Sequence, residues 1–302
     1  MKHVAVLMGG WSAEREVSLS SGKACAGALE RAGYQVTQVD AGPGIYEELK
    51  ALRPDCVFNA LHGKWGEDGC AQALLETLRI PYTHSGVLAS ALAMHKEKSK
   101  ALFRQAGIPV AESRLVPLEE AASRHPLPVP YVLKPVAEGS SVGVHVVLEG
   151  ANGPVRQILD ERHIFGAEVM AERFVAGQEL TCAVIDGQAH GIIDILPTKG
   201  FYDYDAKYVP GGSRHVLPAE IPAAVADAVR RHTLAAHQAL GCRGVSRSDF
   251  RYDAKTGELI ILEINTQPGM TGTSLVPEIA AHAGISMEAL VSWMVRDASL
   301  NR

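Results

Sequence analysis

The first third of the chain alternates short apolar runs with stretches of helical periodicity. The apolar runs predict strands, and the stretches between them, in which apolar residues recur every three or four positions, predict helices. In chain order, the predicted elements are a strand at 4–8, a helix at 18–32, a strand at 34–39, a helix at 47–52, a strand at 56–60 and a helix at 69–78. Because strands and helices that alternate form βαβ units, we expect a parallel sheet here.

The rest of the chain has a different pattern. One or two helices are predicted at 86–106, and the Gly107-Ile108-Pro109 step that follows them leads us to place a domain boundary near residue 95. The later predicted elements are strands at 131–135 and 142–148, a helix at 155–161, a strand at 168–174, a mostly stranded stretch after Gly177, a helix at 223–240, strands at 244–252 and 258–264, and a helix at 286–297. This succession favours α+β structure, with a second boundary near Gly177.

Length and composition limit the class of protein. The chain has 302 residues, which corresponds to about two domains, with three small ones also possible. Its 47% hydrophobic and 21% charged residues are typical of a soluble globular protein. A net charge of −5 without a basic patch argues against a nucleic-acid partner. No apolar run approaches the roughly 18 residues that a membrane span needs.

The cysteines and the N-terminus bear on the cellular compartment. Five cysteines are scattered along the chain and form no C-x-x-C pair, so we expect reduced thiols. The apolar run after Met1 is too short for a signal peptide and leads directly into charged residues. We therefore expect a cytoplasmic protein.

Four polar residues on two neighbouring predicted strands form the most informative group. Arg247 and Asp249 alternate with Ser248, and Glu263 and Asn265 lie across the intervening turn. Where the turn keeps both pairs on one face, Asp249 and Glu263 come within direct or diagonal cross-strand distance. Two carboxylates and an amide oxygen suit Mg²⁺ that arrives with a nucleotide's phosphates. A solvated strand face with ordinary charges is the alternative.

Two glycine-containing segments also follow predicted strands at the N-terminal sheet. Gly9-Gly10 leads to Glu14, which we expect to accept an ammonium group at the carboxyl edge of the sheet, where ligands bind. The second segment contains His62, which we interpret mainly as a structural hydrogen-bonding residue. Its Glu67 and Asp68 are expected to place negative charge at the N-terminus of the next helix.

Two further segments can be interpreted either as functional or as ordinary structural features. The loop 138–143, four residues after Lys134, offers N–H and hydroxyl donors to phosphate but lacks the P-loop pattern, so a tight hairpin is the alternative. Residues 201–208 are aromatic and polar and precede Gly211-Gly212. They are consistent either with a lid that closes over a site or with a loop on the protein surface.

Five segments form a recognisable series. They read Gly9-Gly10-x-Ser12-Ala13-Glu14-Arg15-Glu16-Val17-Ser18, His62-Gly63-x-x-Gly66-Glu67-Asp68-Gly69, Lys134-Pro135-x-x-Glu138-Gly139-Ser140-Ser141-Val142-Gly143, Tyr202-Asp203-Tyr204-Asp205-Ala206-Lys207-Tyr208 and Glu263-x-Asn265-Thr266-x-Pro268-Gly269-Met270-Thr271. In this order, and across nearly the whole chain, they resemble the D-alanine–D-alanine ligase family of the ATP-grasp superfamily.

The resemblance implies an α/β protein with a three-domain ATP-grasp fold. An N-terminal parallel-sheet domain for substrate binding would span 1–95, and two α+β grasp subdomains, 96–176 and 177–302, would hold ATP between antiparallel sheets. A lid loop is implied near 200–213. The implied protein is a homodimer that uses D-alanine and ATP, with two Mg²⁺ ions that Mn²⁺ can replace, in peptidoglycan precursor synthesis.

The implied reaction has two steps. The carboxylate of one D-alanine attacks the γ-phosphate of ATP to give D-alanyl phosphate and ADP. The amine of a second D-alanine then attacks the activated carbonyl, and phosphate leaves from a tetrahedral intermediate. Such phosphoryl transfer depends mainly on positioning and charge neutralisation.

Site residues follow from the resemblance position by position. Metal binding is implied for Asp249, Glu263 and Asn265. ATP binding is implied for Lys96, Lys134, Glu172, Arg173, Phe174, Val175, Glu179, Tyr202 and Lys207, with Glu172 to Val175 near adenine and Glu179 on ribose. Catalytic roles are implied for Glu14, Ser140, Lys207, Tyr208, Arg247 and Gly269, of which Arg247 and the Gly269 N–H would stabilise the oxyanion. Substrate contacts are implied for Glu14, His62, Ser274 and Leu275.

A few positions depart from the family pattern. His95 replaces an expected Asp, Ser248 replaces an aliphatic residue, and Arg173 stands where Lys is usual. Two alternatives remain at this stage. One is a relative that makes D-alanyl-D-lactate or D-alanyl-D-serine, although Lys207-Tyr208 has the dipeptide-forming pattern. The other is an ATP-binding regulator without activity, which we would expect to have lost Arg247 or a metal ligand.

Overall fold

A computed structural model describes residues 2–139, 142–151, 153–198 and 211–302. The N-terminal part contains a parallel sheet of β1 (His3–Gly9), β2 (Gln35–Ala41) and β3 (Cys56–Asn59) in the order β2-β1-β3. The helices of this part are α1 (Arg15–Arg31), α2 (Ile45–Leu52), α3 (Cys70–Leu78) and α4 (Val87–Met94). All three strands pair as the alternation of elements predicts, because each βαβ crossover returns the chain to the same sheet.

The central part contains an antiparallel four-stranded sheet. Helix α5 (Lys96–Gln105) leads into it, and its strands are β4 (Ser113–Pro117), β5 (Tyr131–Lys134), β6 (His145–Val147) and β7 (Glu168–Arg173), in the order β4-β7-β5-β6. Short helices α6 (Leu118–Ser123) and α7 (Arg162–Phe165) and a 3-10 helix at Arg156–Leu159 cover one face. Buried apolar side chains such as Tyr131, Leu133 and Val169 form the core between sheet and helices.

The last part contains an antiparallel five-stranded sheet. Its strands are β8 (Gln178–Ile185), β9 (Gln188–Pro197), β10 (Ser213–Val216), β11 (Ser246–Asp253) and β12 (Glu258–Asn265), in the order β10-β9-β8-β11-β12. Helices α8 (Ala223–Ala239), α9 (Leu275–His282) and α10 (Met287–Asp297) complete it. Apolar residues of α9 and α10 share one core with β1 and α1, so the end of the chain packs against its beginning.

Most predicted elements are present within a few residues of their expected bounds, and the differences have local causes. The region 86–106 forms two helices because His95 adopts an extended backbone conformation between them, and its Nδ1 accepts from the Lys98 N–H as the N-cap of α5. The predicted helix at 155–161 is wrong: the chain there forms the 3-10 helix and then α7. Strand β4, helix α6 and helix α9 were not predicted.

Two features of the structure concern the predictions about membrane spans and cysteine thiols. In the part of the chain that the structure describes, no helix combines the length and the apolar character needed to cross a membrane. All five cysteines are free thiols, and four of them are buried. Burial raises the pKa of the Cys56 thiol to about 11, so this side chain stays protonated and packs as an apolar group.

Ser248 gives a stability prediction. Its side chain is fully buried and its Oγ has no hydrogen-bond partner, whereas the Oγ of Ser246, two residues earlier on the same face of β11, lies 2.7 Å from His237 Nδ1. An unpaired buried hydroxyl is destabilising, so Ser248→Ala is expected to raise the free energy of unfolding by about 1 kcal/mol. Ser246→Ala, the matched control, is expected to lower it. Urea unfolding of both variants measures the difference, and a loss of stability in Ser248→Ala would contradict the prediction.

Candidate active site

The hairpin of β11 and β12 brings the four expected polar residues together. Asp249 lies directly opposite Glu263, and Arg247 lies opposite Asn265. The register irregularity follows Asp249, so it does not disturb these two pairs. The prediction that Asp249 and Glu263 share a face at cross-strand distance is confirmed.

Cations and donors hold the hairpin carboxylates in place. Arg247 makes two parallel hydrogen bonds to Asp249, Nε to Oδ1 and Nη2 to Oδ2, both at 2.9 Å. Thr181 Oγ1 also donates to Asp249 Oδ1 at 2.6 Å. Glu263 Oε2 lies 3.2 Å from Lys96 Nζ, which donates to the carbonyl of Glu138 at 2.6 Å. Positive charge is thus concentrated where two carboxylates face each other.

The donor set fits a hard divalent cation that brings other ligands with it. Within the described residues, no three His, Cys, Asp or Glu side chains are grouped closely enough to hold a metal by themselves. Two carboxylates and one amide are nevertheless the kind of partial set by which Mg²⁺ is bound, with phosphate oxygens and water completing the coordination. Asn265 now presents its nitrogen to Asp249 at 3.1 Å, so a cation there requires the amide to present its oxygen.

A cleft lies between the four-stranded and the five-stranded sheets. All the described residues with an implied ATP or carboxylate metal role line it, namely Lys96, Lys134, Glu172, Arg173, Phe174, Val175, Glu179, Asp249 and Glu263. Apolar side chains, among them Val132, Ile260 and Leu262, also line it, and Ile260 and Leu262 pack with Val175. The cleft can therefore hold a flat apolar group beside an anionic one.

A buried ionic cluster forms one side of this cleft. Glu172 accepts from Lys134 Nζ at 2.6 Å and pairs with Lys100 through its other oxygen. Burial raises the pKa of Glu172, but the two lysines outweigh that effect and hold its pKa below the usual range. The carboxylate is therefore ionised. Lys100 was missed from the sequence, although it lies one helical turn after Lys96 on α5 and so shares its face.

The pKa of Lys100 gives a second stability prediction. Burial lowers this pKa from 10.5 to about 8, against the opposing effect of Glu172. Between those values the folded protein binds fewer protons at Lys100 than the unfolded chain, so the contribution of Lys100 to stability increases as pH rises through this window. The quantity to compare is the free energy of unfolding of the wild type minus that of Lys100→Met. This difference should increase by on the order of 1 to 2 kcal/mol from pH 8.0 to pH 9.5.

Urea unfolding at the two pH values measures this change. Lys98→Met, at an exposed position on the same helix, is the control and should follow the wild type at both pH values. Parallel pH dependences for the wild type and Lys100→Met would show that Lys100 titrates alike in the folded and unfolded chains.

A second cleft adjoins the first, between the N-terminal sheet edge and the start of α9. It is lined by the described residues implied in substrate binding and catalysis, Glu14, His62, Arg247, Gly269, Ser274 and Leu275, together with Asn265. Gly139 lines both clefts. The two spaces thus meet at the glycine-containing loop and at the Arg247–Asp249 pair.

Two glycines make room for the carboxylate of Glu14. A Cβ atom on Gly63 would lie 2.6 Å from Glu14 Oε2, and one on Gly139 would lie 2.9 Å from the same oxygen. Both distances are shorter than side chains tolerate. Gly63 also has a φ of +72°, which favours glycine, and the close approach of both glycines places a buried carboxylate beside the loop between the clefts.

His62 belongs to a chain of hydrogen bonds along the wall of the second cleft. Its Nδ1 lies 3.0 Å from Glu67 Oε1, and its Nε2 lies 3.0 Å from Ser21 Oγ, which accepts from the Met270 N–H at 3.2 Å. The hydrogen bonds expected of a structural His62 are therefore present, and its implied substrate contact stays a prediction. Asp68 accepts from the N–H of Cys70, the first residue of α3, as its expected helix N-terminal role requires.

The start of α9 lies beside Gly269. Ser274, the N-cap of α9, accepts from the Thr271 N–H at 2.9 Å, and a Cβ on Gly269 would lie 2.9 Å from Ser274 Oγ. Backbone N–H groups at a helix N-terminus favour a carboxylate. Ser140, Tyr202, Lys207, Tyr208 and most of the implied lid at 200–213 lie outside the described residues, and β10 begins at Ser213.

Comparisons with known proteins extend over the whole fold. Family models described as D-ala D-ala ligase N-terminus and C-terminus match residues 41–85 and 102–296. The chain is 61% identical over 304 residues to a D-alanine–D-alanine ligase of Parvibaculum lavamentivorans and 63% identical over 305 residues to one of Methylobacterium radiotolerans. Each match covers 100% of this chain and 99% of the relative.

Solved structures agree with the sequence matches. A D-alanine–D-alanine ligase from Bacillus anthracis is similar with a TM-score of 0.83 and 33% identity, and its complex with ATP with a TM-score of 0.82 and 29% identity, each over 98% of this chain and 97% of the other. The VanG D-Ala:D-Ser ligase from Enterococcus faecalis has a TM-score of 0.78 and 27% identity, over 98% of both chains. The chain therefore belongs to the D-alanine–D-alanine ligase family.

Proposed function

We propose that this chain joins two D-alanine molecules to D-alanyl-D-alanine with ATP, for peptidoglycan precursor synthesis. The observation that carries the proposal is the meeting of two clefts. One is lined by apolar side chains, lysines and carboxylates, and the other is lined by Glu14, Arg247 and Gly269. A phosphoryl group held in the first cleft would lie next to a carboxylate held in the second.

The residues of the first cleft bind and orient the nucleotide. Lys96 and Lys134 supply positive charge for the phosphates, and Phe174 and Val175 supply apolar lining for the base. Asp249, Glu263 and Asn265 would hold Mg²⁺, which when bound neutralises phosphate charge.

The residues of the second cleft orient the two amino acids. Glu14 accepts hydrogen bonds from the ammonium group of the first D-alanine, which directs that molecule's carboxylate toward the γ-phosphate. The start of α9, at Ser274 and Leu275, binds the carboxylate of the second D-alanine. After the amine attacks the acyl carbon, Arg247 and the Gly269 N–H stabilise the oxyanion, and phosphate leaves. We include Ser140, Lys207 and Tyr208 in this proposal as residues that enclose the reaction.

The wider assignments belong to the same proposal. We propose a cytoplasmic homodimer whose chain divides into domains at 1–95, 96–176 and 177–302, with two Mg²⁺ ions that Mn²⁺ can replace and without a nucleic-acid partner. The full-length matches to D-alanine–D-alanine ligases support the proposal as a whole. Light scattering of the purified protein tests the dimer, and a monomeric mass at micromolar concentration would contradict it.

ADP release tests the reaction. The purified protein with Mg·ATP should release ADP when D-alanine is added and should not respond to L-alanine. Retention of Arg247, Asp249, Glu263 and Asn265 supports an active enzyme over an ATP-binding regulator. Absence of D-alanine-dependent ADP release would overturn the proposal. Faster product formation with D-alanine plus D-lactate, or with D-alanine plus D-serine, would assign the chain to those ligases instead.

A further inference from the structure

Four residues at 174–177 connect the four-stranded sheet to the five-stranded sheet along the floor of the first cleft. Gly177 has a φ of +98°, and a Cβ atom there would lie 2.1 Å from the carbonyl oxygen of Tyr252 on β11. The connection therefore runs directly against the backbone of β11. Phe174 and Val175, which line the cleft, belong to this connection.

The side chain of Arg251, on β11, contacts both the backbone and an aromatic ring of this connection. Arg251 donates from Nε to the carbonyl of Val175 at 3.0 Å and from Nη1 to Glu179 Oε2 at 3.2 Å. Its guanidinium carbon lies 5.8 Å from the centre of the Phe174 ring. The side chain is only 14% exposed and lines the cleft, yet neither the hairpin pattern nor the family resemblance singled it out.

Arg251 and Glu179 are fixed relative to each other by the sheet. They are directly opposed in the antiparallel pairing of β11 with β8, so their side chains share the cleft face. Glu179 is buried, and a buried carboxylate stays ionised only where charge or hydrogen bonds compensate for lost water. The guanidinium meets this need at one carboxylate oxygen and simultaneously bonds Val175, which a lysine ammonium on a flexible stem cannot reproduce.

We propose that Arg251 is a positioning residue for ribose recognition. It orients Glu179 so that the carboxylate accepts hydrogen bonds from the vicinal hydroxyls of the nucleotide, and it fixes the connection that carries Phe174 and Val175. A carboxylate accepts several hydrogen bonds, so the bond from Arg251 is compatible with bonds from the sugar. This inference rests on the proposed function, because it requires an adenine nucleotide in the first cleft.

Calorimetric binding of Mg·ADP and Mg·2′-deoxyADP, without D-alanine, tests the inference. A hydrogen bond between a hydroxyl and a charged acceptor is lost with the deoxynucleotide, so the wild type should bind Mg·ADP about tenfold more tightly. In Arg251→Met this preference should fall to about twofold, because Glu179 is no longer held. Arg251→Lys, which keeps the charge but not the double contact, should lie between them. Arg114→Met, at an exposed arginine of β4, should keep the wild-type preference.

A double-variant cycle separates this role from a general structural one. Glu179→Gln should lose most of the ribose preference, and adding Arg251→Met to it should change the preference no further. Equal weakening of both nucleotides by Arg251→Met, with the preference unchanged, would overturn the inference. So would a further drop in preference when Arg251→Met is added to Glu179→Gln, or a wild type without any preference. Each of these outcomes is independent of D-alanine-dependent ADP release, on which the proposed function depends.

Discussion

Asp249→Asn is expected to lower kcat for D-alanine-dependent ADP formation by about 10³-fold, because a neutral amide cannot offset phosphate charge as a carboxylate does. The substitution keeps an oxygen that can accept from Arg247 Nε and from Thr181. It removes the acceptor of Arg247 Nη2 and Asn265 Nδ2, a local loss that the five-stranded sheet should withstand. The fold should therefore remain intact. Circular dichroism and urea unfolding should show the same cooperative protein as the wild type.

The dependence on Mg²⁺ distinguishes a metal role from other causes of lost activity. The Mg²⁺ concentration that gives half-maximal rate should rise in Asp249→Asn, and Glu263→Gln on the opposite strand should behave in the same way. Asp227→Asn, at an exposed carboxylate of α8 paired with Arg230, is the control and should be unchanged. Near-wild-type rates in both site variants would show that the assignment of the metal ligands is wrong.

The hydrophobic pattern predicted the elements that bury an apolar stripe or an entire apolar run. The three parallel strands and helices such as α1 and α8 were predicted because each buries one apolar stripe or an entire apolar run. Strand β4 was missed because Ser113–Pro117 has only one fully buried residue, Val116, and so shows no apolar pattern. Its position is set by pairing with β7, a contact between segments more than fifty residues apart that no local pattern contains.

The candidate site was predictable only as far as its chemistry is local in sequence. Asp249 and Glu263 lie on strands joined by a tight turn, so alternation of faces was enough to bring them together. Lys100 and Arg251 were missed because their partners come from other elements. Lys100 on α5 meets Glu172 on β7, and Arg251 on β11 meets the connection after β7. Their roles become visible only when the two antiparallel sheets face each other.

The positions of these missed residues also explain how one cleft can serve two opposing needs. It must bind an apolar group and also carry several charges. Lys100 and Arg251 satisfy buried carboxylates from outside the phosphate-binding positions, with Lys100 bonding Glu172 and Arg251 bonding Glu179. Lys134 can then face the phosphates without being the only partner of Glu172.

Arg247→Lys is expected to lower kcat by about 10²-fold, the second-largest effect among these variants. Arg247 lies at the junction of the two clefts: it lines the second, while Asp249, to which it donates two hydrogen bonds, lines the first. A lysine retains the charge but provides no planar fork, so it cannot bond Asp249 at two oxygens or keep donors aimed at a developing oxyanion. Loss of one oxyanion donor typically costs about 10²- to 10³-fold in kcat.

The form of the kinetic loss tests the assigned role. An interaction made mainly in the transition state should lower kcat and kcat/KM for D-alanine by similar factors, while the affinity for Mg·ADP, measured separately, changes by less than about threefold. Arg243→Lys, at an exposed arginine four residues earlier, is the matched control and should keep wild-type kinetics. A rise in KM for D-alanine with unchanged kcat would assign Arg247 to ground-state binding of the amino acid and remove it from oxyanion stabilisation.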